Sequence, residues 1–110
     1  MISIDEFKKS EIKIGLILSA QRVPDTDKLL KLSVDFAEST PRQIISGIAL
    51  FIADPTTLVG LRCPFVTNLE PRVIQGLESQ GMILAAGGRD EIPFSLLTVS
   101  GDIPPGTKIS

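Results

Sequence analysis

The sequence predicts an all-β fold, a small closed barrel with short helices, and three observations carry that expectation. Residues 30–36 alternate Leu30, Leu32, Val34 and Phe36 with Lys31, Ser33 and Asp35, the period-two pattern of a half-buried strand. Residues 11–23 begin the same way, with Ile12, Ile14, Leu16 and Leu18 assigned to one face and Gly15 inside the run. Glycine within a strand marks a bend or barrel corner, and one long bent strand can serve both sheets of a barrel. Turn chemistry also recurs at short intervals, at Pro24-Asp25-Thr26-Asp27, Glu38-Ser39-Thr40-Pro41, Gly87-Gly88 and Pro104-Pro105-Gly106.

The remaining elements follow in order. Ser3 and Glu6 form a capping box, which predicts a short helix over 4–9 that packs through Ile4 and Phe7. Residues 42–50 predict a third strand, interrupted at Gly47. Asp54 is a cap residue and Pro55 suits the first helical position, so a short helix begins there and stops at Gly60. That places one helix between the third and fourth strands, where a five-stranded Greek-key barrel of the oligonucleotide-binding (OB) class carries its helix. Residues 61–69 predict the fourth strand, with Pro64 arguing for a bulge or an edge. Val73-Ile74 is expected to pair with it. Residues 82–86 and 94–99 complete the strands.

Size and composition bound the chemistry. A chain of 110 residues predicts a single domain over 1–110. Cys63 is the one cysteine, so neither an internal disulfide nor a thiolate metal cluster can form. Histidine is absent, which removes the usual general base near neutral pH and any Ser-His or Cys-His nucleophile. No enzyme activity, metal or cofactor is expected. No basic stretch followed by an apolar run opens the chain, and no run approaches a membrane span; a cytoplasmic location without membrane contact is expected. The net charge is −2 and the pI near 5.0, so nucleic-acid affinity must come from a local patch rather than a global basic footprint.

Three blocks carry a family resemblance. Residues 24–29 read PDTDKL, residues 41–48 PRQIISGI, and residues 68–86 NLEPRVIQGLESQGMILAA. In this order they resemble the small tRNA-binding domain at the C-terminus of many methionyl-tRNA synthetases. The domain also occurs as a free-standing structure-specific tRNA-binding protein and in endothelial-monocyte-activating-polypeptide-like proteins. The resemblance covers residues 4–86 and the tail 103–109. It implies an OB barrel with extra terminal strands, no catalysis, tRNA as partner, a homodimer paired through its terminal elements, and assistance to an aminoacyl-tRNA synthetase. The CsaA-like secretion chaperones share barrel and size, so a homodimeric protein-binding function is the alternative. This chain departs from the family after Pro71, where Val73, Ile74 and Gln75 stand in place of additional basic residues. Across 41–86, Arg42, Arg62 and Arg72 balance Asp54, Glu70 and Glu78.

The candidate RNA-binding residues lie in these blocks. Lys28 follows a turn and suits a phosphate, or it merely balances Asp25 and Asp27. Lys31 faces outward on the next strand. Arg42 can fork onto one phosphate, with Ser46 beside the expected strand break. Asn68, Arg72, Ser79, Gly81 and Met82 form the densest group: Pro71 presents Arg72, Ser79 offers a hydroxyl, and Gly81 permits close backbone approach. Met82 reads either as a flexible apolar contact to RNA or as ordinary core. The resemblance places the Ser-x-Gly-Met segment on the tRNA-binding face. Phe36 and Phe7 belong to expected buried stripes, leaving few rings for base stacking, so recognition through shape and backbone is expected. A mean hydropathy of +0.28 and the run Phe94-Ser95-Leu96-Leu97 add to the expectation of a homodimer.

Overall fold

The computed structural model describes residues 1–110. Five antiparallel strands wrap into a nearly closed barrel in the order β3-β2-β1-β4-β7, with β1 at Ile12–Arg22, β2 at Leu30–Asp35, β3 at Arg42–Ser46, β4 at Arg62–Val66 and β7 at Met82–Ile83. Two small hairpins are added to it. One joins β5 (Arg72–Ile74) to β6 (Leu77–Ser79), and the other joins β8 (Ala85–Ala86) to β9 (Ser95–Leu96). No helix is long and apolar enough to cross a membrane.

The first strand does serve both halves of the barrel. Its residues Ile12 to Leu16 pair with β4, and Leu16 to Arg22 pair with β2. Leu16 is shared by both ladders, and the strand bends just before it at Gly15. A Cβ there would sit 2.5 Å from Val34 Cγ1 and 2.7 Å from Phe36 Cε1, so only glycine lets the strand press against the core. The expected single face of Ile12, Ile14, Leu16 and Leu18 does not persist through this bend. Ile14, Ile17 and Ala20 are buried, while Leu18 is exposed, and the pairing with β2 shifts register between Ile17 and Ser19. A bulge adds one residue and moves later side chains to the other face, which brings Ala20 inward after Ile17; the switch from Ile14 to Ile17 comes before it, beside Gly15.

The alternation of β2 is realised in full: Leu30, Leu32, Val34 and Phe36 are buried among Ile44, Cys63 and Phe65. Phe36 meets Phe65 edge to face at 5.3 Å between centroids, a favourable aromatic geometry. Burial raises the Cys63 thiol to about 11, so this cysteine packs as a small apolar group rather than a nucleophile.

Several boundaries differ from expectation. The third strand ends at Ser46, and Ala49–Phe51 forms a 3₁₀ helix instead of continuing it. Arg22 holds that segment by donating to the carbonyls of Ala49, Ile52 and Ala53. Asp54 caps as expected, accepting the Thr56 amide, but the helix Pro55–Leu58 is 3₁₀. Pro64 causes neither bulge nor edge. Its register partner Ile14 directs its N–H and C=O to Thr107 and Gly106 instead, so the amide proton proline lacks is not needed by β1. Residues 106–109 thereby run along the first half of β1.

Val73 and Ile74 pair with Glu78 and Leu77, not with the fourth strand. Gln75 and Gly76, at φ of 51° and 78°, make the two-residue turn that favours hairpins. The helix α1 (Ile4–Phe7) forms on its Ser3 cap but is shorter than expected. Ile4 and Phe7 do not pack into a core: both stay exposed.

Candidate nucleic-acid interface

The barrel closes through the segment that sequence reasoning marked for binding. Strand β3 lies at one edge of the sheet, and its polar backbone needs partners. Residues 78–80 supply them. Ser79 Oγ accepts the Ile45 amide at 2.9 Å, Gln80 Oε1 accepts the Gln43 amide at 3.0 Å, and the Gln80 amide donates to the Gln43 carbonyl at 2.8 Å. Gln43 Nε2 returns a bond to the Glu78 carbonyl. Ser79 is therefore buried and occupied, with its own proton directed to the Gly81 carbonyl at 3.1 Å.

Arg42 is occupied in the same way. Nε and Nη2 fork onto the Glu38 carboxylate, each at 2.8 Å. Nη1 donates to the carbonyls of Thr67 and Gln80, and the guanidinium lies 5.4 Å from the Phe36 ring centroid. These bonds raise the Arg42 pKa and hold the Glu38 carboxyl below the usual carboxylate range. Such a guanidinium fastens the barrel end, and little of it remains for a phosphate. Asn68 is also committed: Oδ1 accepts the Glu11 amide and Nδ2 donates to the Lys9 carbonyl, which ties the N-terminal segment to the end of β4. Beside it the Thr67 hydroxyl lowers the Glu11 pKa.

Gly81 is required by packing. A Cβ there would lie 2.8 Å from Ile44 Cδ1 and 3.0 Å from the Val66 carbonyl oxygen, so the absent side chain makes room for the barrel itself. Ser46 sits half-buried at the end of β3, paired with Leu30.

The remaining candidates are free and adjacent. Arg72, Ser79, Gly81 and Met82 line one cleft of about 70 Å³ with Ile45, Leu69 and Glu70. Arg72 is exposed on β5, and Met82 is 46% exposed on β7, so Met82 is a surface residue rather than core. Lys28 borders a second hollow with Ile74 and Gln75 at the tip of the β5–β6 hairpin. Lys31 is the direct register partner of Ile45 and leads from the cleft onto the outer sheet face. Arg72 and Met82 thus line a cleft at the β5–β6 hairpin, Lys28 borders its tip, and Lys31 stands one strand away beside Ile45, while Arg42, Asn68 and Ser79 hold the scaffold. Sequence reasoning missed Gln80, which with Ser79 closes the seam, because a glutamine between Ser79 and Gly81 carries no distinguishing signal of its own.

Fold and surface together define a small OB-type barrel whose candidate face sets cations beside carboxylates, Arg72 with Glu70 in the cleft and Lys28 with Asp25 and Asp27 in the hollow. The family model described as "Putative tRNA binding domain" matches residues 12–108. The chain belongs to this tRNA-binding domain family. It is 52% identical to the methionine–tRNA ligase of Methanoregula boonei over 99% of its own length, and it spans 16% of that relative. Among solved structures, a MetRS-related protein from Pyrococcus horikoshii superposes with a TM-score of 0.91 at 38% identity, covering 100% of this chain and 98% of the other. The chaperone CsaA from Bacillus anthracis superposes with a TM-score of 0.86 at 26% identity, covering 100% and 99%.

Proposed function

We propose that the chain, acting as one domain over residues 1–110, is a non-catalytic module that binds tRNA by its shape and backbone, either free-standing or in aid of a methionyl-tRNA synthetase. The observation that carries this reading is the grouping of Arg72 and Met82 in one cleft at the β5–β6 hairpin, with Lys28 at its tip and Lys31 beside Ile45 one strand away, all with side chains unspent on the fold. Cations position a phosphate backbone without reading its sequence. One exposed ring, Phe51, lies in a hollow beside Met82, too few for a stacking platform, which favours a folded RNA over an extended single strand.

A homodimer in the cytoplasm fits this function. Ile4, Phe7 and Ile109 lie exposed about a shared hollow at the chain ends, and a two-fold pair would double the cationic contacts. The protein-binding alternative rests on the likeness to CsaA. The synthetase-type reading is favoured because, among the solved structures, the identity is 38% to the MetRS-related protein and 26% to CsaA.

The deciding experiment is a gel-shift titration with total tRNA beside a titration with an unfolded polypeptide. Retardation of tRNA alone supports the proposal. Binding of the polypeptide without tRNA assigns the chain to the alternative.

A further inference from the structure

The outer face of β1, β2 and β3 carries a polar strip that the candidate residues include only at Lys31. Ser19 pairs with Ser33, and Gln21 with Lys31. The two rows continue across β2 to Gln43 and to Ile45. A groove of about 400 Å³ lies over them, and no carboxylate lines it. The Gln43 side chain is spent on the barrel seam. Those of Ser19, Gln21, Lys31 and Ser33 bond to no other residue of the chain, and none is sealed from solvent.

The chemistry of the strip is distinctive. Serine hydroxyls and the glutamine amide each donate and accept. They are uncharged, and of the two cations that line the groove, Lys31 and Arg42, the second is already forked onto Glu38. A ribose 2′-hydroxyl also donates and accepts, and the wide minor groove of A-form RNA displays such hydroxyls in a row. Ser19 and Gln21, two residues apart on one strand, are separated by about 6.8 Å, close to the spacing of successive riboses along a chain. The strip is also continuous with the cleft already described, because Ile45 both pairs with Lys31 and lines the cleft of Arg72 and Met82.

We propose that Ser19, Gln21 and Ser33 hydrogen-bond the 2′-hydroxyls of an RNA strand lying in this groove, and so make the surface select RNA over its 2′-modified or deoxy counterparts. This inference rests on the tRNA-binding reading. It assigns Lys28, Lys31 and Arg72 to phosphates and the uncharged strip to sugars.

The test compares one tRNA transcript with the same transcript made with 2′-fluoro nucleotides, which keep the A-form sugar pucker but remove the hydroxyl donor. Both are titrated against the parent chain, a Ser19→Ala/Ser33→Ala double variant, and Gln21→Ala, whose exposed position makes misfolding no explanation for its result. One neutral hydrogen bond corresponds to roughly two- to tenfold in affinity. The parent should bind the fluoro transcript at least threefold more weakly. The double variant should bind the natural transcript more weakly and discriminate between the two transcripts less than the parent, with an unchanged thermal melt, and Gln21→Ala should lie between. Equal binding of both transcripts by the parent overturns the inference while the tRNA-binding reading stands. So does discrimination retained in all variants. Failure of the parent to bind either transcript overturns both.

Discussion

Ser79 Oγ accepts the backbone amide of Ile45 at 2.9 Å, 34 residues away in the chain, and with Gln80 it joins the open edge of β3 to the end of β6. The residue type that marks a hydroxyl ligand in the sequence is here the clasp of the barrel. Ser79→Ala should leave the buried Ile45 amide without a partner, at a cost of about 1 to 3 kcal/mol. Urea denaturation should show that loss, and tRNA affinity of the folded fraction should change little. A large affinity loss with unchanged stability would return Ser79 to the binding set.

Met82 is expected to behave in the opposite way. It is 46% exposed and pairs with Val66 at the end of the short β7. A core methionine replaced by alanine costs roughly 2 to 5 kcal/mol. Met82→Ala should cost under about 1 kcal/mol, since surface substitutions are nearly neutral, while weakening tRNA binding. Paired thermal melts and tRNA titrations check this.

The Glu38–Arg42 fork makes the barrel end sensitive to acid. The carboxyls of Glu38 and Glu11 are held below their ordinary value of 4.5, the first chiefly by hydrogen bonds from Arg42 and the second by the Thr67 hydroxyl. Each folded-state pKa lies below its unfolded value, so the stabilisation is present above about pH 4.5 and fades as pH falls through the folded value. The urea midpoint should be flat from neutral pH to about 5 and then decline. Glu38→Gln should soften that decline and, since the pair is partly exposed, cost at most about 1 kcal/mol at pH 7.

Sedimentation tests the pairing of chains. Phe7 is exposed on a helix too short to stand alone, beside Ile4 and Ile109. Equilibrium runs at micromolar concentration should give a dimer, and Phe7→Asp should shift it to monomer without altering the barrel's circular dichroism. A parent that sediments as monomer removes the dimer from the proposal.

Much of the barrel was legible because its signals are local. The alternation of β2, the Asp54-Pro55 helix start and the bend at Gly15 need only neighbouring residues to be read. The two-faced burial of β1 was not, because the bulge near Leu18 depends on the register with β2. Nor was the β5–β6 hairpin: its turn is Gln75-Gly76, without the Asn or Asp that usually announces one. The site divides along the same line. Arg72 and Met82 line one cleft, Lys28 borders the tip of the same hairpin, and Lys31 lies in a separate groove. Arg42, Asn68 and Ser79 do not offer free groups there, because serine, asparagine and arginine look the same in a sequence whether they bond a ligand or a distant backbone. Only the tertiary partners, at Thr67, Glu11 and Ile45, distinguish the two.

The central claim is that a few exposed cations around the β5–β6 hairpin hold the tRNA backbone. The most direct measurement is the salt dependence of tRNA affinity for the parent and for Arg72→Ala. With roughly 3 to 5 phosphates neutralised per chain, the log–log slope should be about −0.7 to −0.9 per phosphate. Arg72→Ala should make it shallower by about one phosphate, weaken binding by roughly 1 to 2 kcal/mol, and leave the melting temperature unchanged. An affinity independent of salt, or an Arg72→Ala variant with the parent's slope and affinity, would contradict it.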